Sequence, residues 1–184
     1  MTSGNMSRFK AFKTLFAKWN ASINLSAART PAEIDEQIAD SLEVIPWLRD
    51  PSVKRVLDVG SGGGFPVVMA AMELPEVEFV ALEPVHKKHA FLRTAARELE
   101  LPNLSAFAQR LDDHEGRDYD VAMSRATFDL PTWLEMALPF LRAGGAAIGF
   151  EGVRRDDLPA GAERRAYGSS VGDKQRALVR LVRT

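Results

Sequence analysis

Asp58 stands two residues before a run in which Gly60, Gly62, Gly63 and Gly64 fall close together, followed by Phe65 and Pro66. The stretch reads RVLDVGSGGGFP, an apolar run that breaks into a glycine-dense turn. Glycines at this density let a backbone approach a ligand closely and take up positive φ where needed. A mere tight turn needs fewer of them. Glu83 closes a second apolar run, EFVALE, about 20 residues beyond the turn, the spacing at which an acid can accept hydrogen bonds from both hydroxyls of a ribose. The chemistry these residues suit is capture of a nucleoside-containing cofactor.

The turn narrows the choice of cofactor. GSGGGF contains G-x-G-x-x, but Phe65 stands where a dinucleotide fingerprint has Gly or Ala. No Gly-Lys-Ser/Thr follows, which argues against a phosphate-binding loop for nucleoside triphosphates. Glu83 suits NAD and S-adenosylmethionine alike. No hydride-transfer partner is evident, and Asp58 before the glycines tilts the choice. LDVGSGGG resembles the first motif of class I methyltransferases, in which this acid and the glycines surround the methionine and ribose portions of S-adenosylmethionine. Asp58 has a second possible role, holding the turn by accepting backbone N–H bonds; the two roles can coexist.

Other chemistries are poorly served. The chain has no cysteine, which excludes disulfides, thiolate metal sites and cysteine nucleophiles. His86 and His89 have the i, i+3 spacing that can place two ligands on one helix face. No third ligand stands out, so the pair reads as a solvated helix start, and no metal is expected.

The elements that must position these residues follow from hydrophobic periodicity. Phe9, Phe12, Phe16 and Trp19 recur at helical spacing, with Lys10, Lys13 and Lys18 off that stripe, as in an amphipathic helix laid on its own core. NASINLSAA breaks it. Thr30, Pro31 and Glu33 form a capping-box signature, and the helix they start should run to about Leu48, with Pro46 distorting its end. From residue 54 onward, KRVLDV, EFVALE, LSAFAQ, YDVAMS and GGAAIGF read as strands. FPVVMAAMEL, HKKHAFLRTAAREL and a segment around 131–141 read as helices. RRDDLPAGA is a loop, and ERRAYGSS with QRALVRLV suggests a final antiparallel pair. This alternation predicts an α/β fold: a doubly wound, mostly parallel sheet preceded by N-terminal helices. The expected organisation is one domain over 1–184, with a helical segment at 1–50 and the cofactor-binding core at 51–184.

Charge is near balance, −1 overall, without the basic excess of many nucleic-acid binders. Its distribution is uneven. Residues 1–30 carry Arg8, Lys10, Lys13, Lys18 and Arg29 and no acid, whereas 31–50 carry six acids against Arg49. Such asymmetry suits either an RNA-facing end or an ordinary solvated surface. No apolar run is long enough to span a membrane, and the N-terminus lacks a signal-peptide core. A cytoplasmic, monomeric protein without membrane association is expected.

A longer resemblance covers nearly the whole chain. KWNASINLSAARTPAEIDEQIADSLEV, VLDVGSGGGFP, KKHAFLRTAARELEL and MSRATFDLPTWLEMALPFLRAGG together resemble the GidB/RsmG family. Its members are bacterial methyltransferases that modify a guanine at N7 in 16S ribosomal RNA, using S-adenosylmethionine. The resemblance implies a class I methyltransferase fold and a cofactor site at Asp58, Gly60, Gly62 and Gly64, with Ser61 and Phe65 in the same turn. It implies that Glu83 holds the ribose, and that Leu111 and Asp112 in QRLDD lie where the family contacts adenine. It places Arg125 of SRA beside the transferred methyl and the target base, and Asn24 with Ser26 on the segment that closes over the same pocket. Ribosomal RNA or the small ribosomal subunit is the implied partner.

Guanine N7 already carries a lone pair, and a sulfonium is a good leaving group. No base need remove a proton before attack, so the protein's task is alignment. Arg125 is suited to O6 of the base or to a phosphate, because holding N7 itself would block the nucleophile.

The chain departs from the family pattern at several places. Glu36 and Gln37 stand where the family usually has Arg-His, Glu151 stands in place of a lysine, and Val67 replaces a glycine. Fewer cations at the RNA face would weaken phosphate contacts. Two alternatives therefore stand beside the ribosomal reading: a divergent paralogue with the same cofactor and another RNA or small-molecule substrate, and a non-catalytic binding module.

Overall fold

The computed structural model describes residues 3–168 and 175–184. One sheet of seven strands forms the centre, in the order β3-β2-β1-β4-β5-β7-β6. The first five are β1 (Arg55–Val59), β2 (Glu78–Leu82), β3 (Leu104–Phe107), β4 (Tyr119–Ser124) and β5 (Leu141–Glu151). All five run parallel. Strands β6 (Glu163–Gly168) and β7 (Gln175–Val182) close the sheet antiparallel, as the sequence predicts. The end of ERRAYGSS, at 169–170, lies outside the described residues.

Helices cover both faces. On one lie α1 (Ser3–Ile23), α2 (Pro31–Leu42), α4 (Val67–Glu73) and α5 (His86–Glu98), sharing one apolar cluster with Val56, Phe79 and Val121. On the other lies α6 (Leu130–Ala137), whose Trp133 and Leu134 meet Leu57, Val80 and Ala122. Val56 and Leu57 thus serve opposite faces, the period-two alternation of a strand buried on both sides.

The aromatic stripe of α1 packs on its own domain. Phe12 and Phe16 are fully buried, and their rings lie 5.4 and 5.1 Å from that of Phe65. Burying each contributes about 1.5–3 kcal/mol, and the contact fixes α1 against the glycine turn.

Two helix ends differ from expectation, each for the same reason. The capping box at Thr30 and Glu33 is formed, but α2 stops at Leu42 and a separate short helix, α3 (Ile45–Leu48), follows. Pro46 has no N–H for the Leu42 carbonyl four residues back, and its ring crowds that carbonyl. Likewise α6 ends at Ala137 and passes into a 3₁₀ turn, Leu138–Phe140, at Pro139. The following strand begins at Leu141, three residues before the expected glycines.

β1 lies between β2 and β4, so the strand order reverses at the carboxyl end of β1. That crevice is where doubly wound sheets bind ligands, and the glycine turn sits on it.

Candidate functional site

A cavity of about 910 Å³ opens over the carboxyl ends of β1, β2 and β4. The turn Gly60–Gly63 forms its floor. Gly60 N donates to Leu82 O at 2.9 Å and Gly62 N to Glu83 Oε2 at 2.8 Å. Gly60 has φ +75°, and a Cβ there would fall 2.1 Å from Thr127 Oγ1. Gly63 is needed for a different reason: a Cβ would meet the Phe16 ring at 2.8 Å, so only glycine lets α1 seat on the turn.

Glu83 is buried at the cavity edge. Its Oε1 accepts Val85 N–H at 2.9 Å, while Oε2 takes Gly62 N–H. A carboxylate offers about four acceptor positions, so Glu83 braces the loop and keeps lone pairs for ligand hydroxyls.

Asp58 lies just beneath the turn, 1% exposed. Among the described residues its Oδ2 has no hydrogen-bond partner. The loop-holding role open to Asp58 on sequence grounds is carried by Glu83 instead. Burial pushes the Asp58 carboxyl up to about 7; the Ser61 hydroxyl and Arg125 guanidinium oppose the rise and Glu83 adds to it. An unpartnered buried carboxylate is costly; Asp58 does not itself border the cavity, and a cationic group held on the turn above it would offset that cost.

Arg125 follows β4 and lines the cavity. Its Nη1 is 2.9 Å from Asp40 Oδ2, and its guanidinium carbon lies 5.3 Å from the centre of the Phe65 ring. Ala126, next in the chain, has φ +56°, a strained value for alanine that turns the chain between Arg125 and Thr127. Asp40 is itself buried and accepts from three residues. Its Oδ1 takes Tyr167 OH at 2.5 Å and Arg176 Nη1 at 3.0 Å. Arg176 Nη2 reaches Glu36 Oε1 at 2.9 Å. Two guanidiniums and two carboxylates from α2, the end of β4 and β7 are thus locally neutral. Burial and the acceptor Asp40 both raise the Tyr167 hydroxyl well above the ordinary phenol range.

The two acids that stand in place of family cations are both paired with arginines. Glu151 is 5% exposed and forms a two-pronged pair with Arg164, Nε–Oε2 2.7 Å and Nη2–Oε1 2.8 Å. It also accepts Arg155 N–H at 2.8 Å. Burial pushes the Glu151 carboxyl up, but the Arg164 and Arg155 hydrogen bonds outweigh it and hold it below the usual range. Glu36, part-exposed, is matched by Arg176 through the contact to its Oε1.

Not every residue implied by the resemblance borders the cavity. Gly60, Ser61, Gly62, Phe65, Glu83 and Arg125 do. Gly64 lies just behind the turn, its N–H on Ser61 O. From the N-terminal segment Leu25, Ser26 and Ala27 line the cavity, whereas Asn24 is exposed, has φ +55° and accepts from Arg29 Nη2 at 2.5 Å. Leu111 is buried in the apolar cluster under α6, and Asp112 is exposed on the 3₁₀ turn Leu111–Asp113. Neither borders the cavity. His89 Nε2 lies 3.1 Å from Ala106 O.

Sequence reasoning missed Asn20, Asp40, Tyr167 and Arg176. Buried Asn20 donates to Ala28 O and accepts from Ser26 N, pinning the Asn-Leu-Ser-Ala loop. Tyr167 and Arg176 are register partners in the β6–β7 pair, and aligning the two predicted strands would have put them side by side.

The comparisons agree with this geometry. A family model described as rRNA small subunit methyltransferase G, GidB, matches residues 5–175. Ribosomal RNA small subunit methyltransferase G of Burkholderia ambifaria is 36% identical over 188 residues, covering 99% of this chain and 81% of the relative. The protein of that name from Azoarcus is 37% identical over 165 residues, covering 86% and 77%. Among solved structures, an O-methyltransferase from Bacillus cereus in complex with SAH superposes with a TM-score of 0.66 at 19% identity, over 94% of this chain and 91% of that one. A tRNA (m1A58) methyltransferase from Aquifex aeolicus gives 0.58 at 15% identity, over 77% and 66%. With the class I methyltransferase fold in place and the match running through the cavity-lining segments, the chain belongs to the rRNA small subunit methyltransferase G family.

Proposed function

We propose that the protein transfers a methyl group from S-adenosylmethionine to guanine N7 in small-subunit ribosomal RNA. The observation that carries this reading is the family match across residues 5–175, which contain nearly all of the cavity lining. The donor set fits the cofactor. Asp58, buried with an unpartnered oxygen, suits a cationic group beside the glycine turn, and Glu83 has acceptors left for ribose hydroxyls. Gly60, Ser61 and Gly62 would let it lie against the backbone, with Gly64 and Phe65 shaping the turn behind. When bound, S-adenosylmethionine supplies an activated methyl on a sulfonium.

The chain's own residues orient and exclude. Phe65 and Leu25 form apolar wall, while Ser26 and Gln37 offer polar contacts at the mouth. Arg125, held by Asp40 and seated over Phe65, keeps guanidinium N–H groups for O6 of the base or a phosphate. No general base is required, which accords with a cavity in which Asp40 and Glu151 are engaged by arginines, Glu83 by backbone N–H groups, and Asp58 is buried below the floor. Leu111 and Asp112 remain the proposed neighbours of adenine, and Asn24 acts through its loop, beside Ser26.

The pairing of Glu36 with Arg176 and Glu151 with Arg164 supports the ribosomal reading to this extent, that neither acid presents uncompensated charge to RNA, although the family cations they replace are not restored. One domain, with 1–50 as its helical cover and 51–184 as its core, is the proposed organisation; a monomer in the cytoplasm, acting on ribosomal RNA or the small subunit, is the proposed setting. Among the described residues no helix is long and apolar enough to cross a membrane. The test is chemical cleavage at N7-methylguanine in small-subunit RNA from cells with and without the protein. Loss of one cleavage site without the protein supports the reading, and identical patterns would refute it.

A further inference from the structure

A second cavity, about 740 Å³, lies in the groove between α1 and α5, apart from the glycine turn. Lys10 and Lys18 stand on its α1 side and Arg97 on its α5 side, over a floor that includes Leu15 and Trp19. Lys10, Thr14 and Lys18 recur every four residues, so they form one ridge, with the two ammonium groups carried about 12 Å apart along the helix. Both lysines are exposed, and no ion pair is formed by either among the described residues. The one acid in the groove, Glu98, is 3.4 Å from Arg97, with side chains 51% and 76% exposed; a pair so open to water is worth little. Residues 1–30 hold no acid to neutralise the ridge.

The groove and the methyl-transfer cavity are separate, but the two helices that wall the groove both lead to that cavity. α1 leads into Leu25–Ala27, and Lys88, in the first turn of α5, lines that cavity. Lys18 lies one and a half turns before the end of α1, roughly 8 Å from it. A strand leaving the glycine turn along α1 would meet Lys18 first and Lys10 several nucleotides on, about 20 Å from the helix end.

We propose that the α1–α5 groove is the docking track for the ribose-phosphate backbone of the RNA substrate, with Lys10 and Lys18 each neutralising one phosphate. This rests on the RNA methyltransferase reading above and adds to it where the backbone lies. The track carries affinity and no base identity, as phosphate contacts do.

The test is the salt dependence of binding to naked small-subunit RNA from a strain lacking the protein. The unaltered protein is compared with Lys10→Gln/Lys18→Gln, with Lys10→Arg/Lys18→Arg, and with Lys54→Gln as a control. Lys54 precedes β1 at the opposite end of the sheet and is exposed. Losing two phosphate contacts should reduce the slope of log K against log salt by about 1.4–1.8 and so weaken binding about 25- to 60-fold at 0.1 M salt. The arginine pair and the Lys54 variant should keep the original slope, and calorimetric binding of S-adenosylmethionine should be unchanged in all. An unchanged slope in the double glutamine variant, or an equal loss in the Lys54 control, overturns the track and leaves the parent reading standing. Absence of RNA binding by the unaltered protein overturns both.

Discussion

Asp40 Oδ2 accepts a hydrogen bond from Arg125 Nη1 at 2.9 Å, tying α2 to the end of β4 across the wall of the cavity. The two residues are 85 positions apart, and both side chains are largely buried, at 8% and 15% exposure. The pair therefore orients the guanidinium that faces the substrate, at the cost of desolvating two charges.

Replacing Asp40 should be the more damaging change. Asp40→Ala leaves Arg125 and Arg176 without their shared acceptor and Tyr167 without its partner. Breaking a buried pair from one side costs about 3–5 kcal/mol, read as a lower urea midpoint. An Asp40→Ala, Arg125→Ala double-mutant cycle should show coupling of roughly 0.5–3 kcal/mol; additive losses would mean that the contact is not formed in solution.

Arg125→Ala should spare calorimetric binding of S-adenosylmethionine and sharply reduce methyl transfer. If cofactor binding is lost instead, Arg125 belongs to the cofactor site, and its assignment to the substrate is wrong.

Glu83→Ala should weaken cofactor binding by about 1–3 kcal/mol, because bound hydroxyls lose a charged acceptor. The same change frees Gly62 N–H and Val85 N–H, so a modest drop in melting temperature should accompany it. Unchanged affinity would show that Glu83 only braces the loop.

Asp58 makes a pH prediction. Its carboxyl is raised from 3.8 to about 7 by burial, so the folded protein holds a proton that the unfolded chain releases. The Asp58 contribution to stability should therefore fall as pH rises from about 4 to about 7, by on the order of a few kcal/mol, and level off above, opposed in part by His114, whose lowered pKa favours the folded state as pH rises toward 6.5. Asp58→Asn should remove that slope. A cationic cofactor favours the ionised form, so its binding near pH 6 should release protons, measurable by calorimetry in buffers of different ionisation enthalpy. Binding without proton release would place the cofactor's charge away from Asp58.

Glu151→Lys, which restores the residue type usual in the family, should destabilise this chain. It sets a lysine against Arg164, whose side chain is 23% exposed, and removes the acceptor for Arg155 N–H. A loss of about 1–3 kcal/mol is expected; a neutral result in denaturant unfolding would show that Arg164 re-pairs freely.

Local features were the legible ones. The strands, the capping box at Thr30 and Glu33 and the glycine turn each depend on residues near in sequence, and among the described residues each is found at the expected place, apart from strand bounds such as the earlier start of β5 at Leu141. Helix ends were less legible: the apolar pattern carries past Leu42, and only the missing N–H of Pro46 stops it. Residue roles across long separations were not legible. The Asp40 network joins positions 36, 40, 125, 167 and 176, which meet only once β6 and β7 pair and α2 folds over the sheet edge. Asn24 shows a subtler limit. The motif marks its loop, but the positive φ that turns its side chain to Arg29 is set by Asn20 holding the loop from behind.

The most direct measurement is transfer of labelled methyl from S-adenosylmethionine by the purified protein to small-subunit particles and naked RNA from a strain lacking it, with the modified base mapped. The expected result is one methyl on N7 of a single guanine, lost with Arg125→Ala. Cofactor binding without incorporation into either RNA form, or a methyl on any other atom, would contradict it.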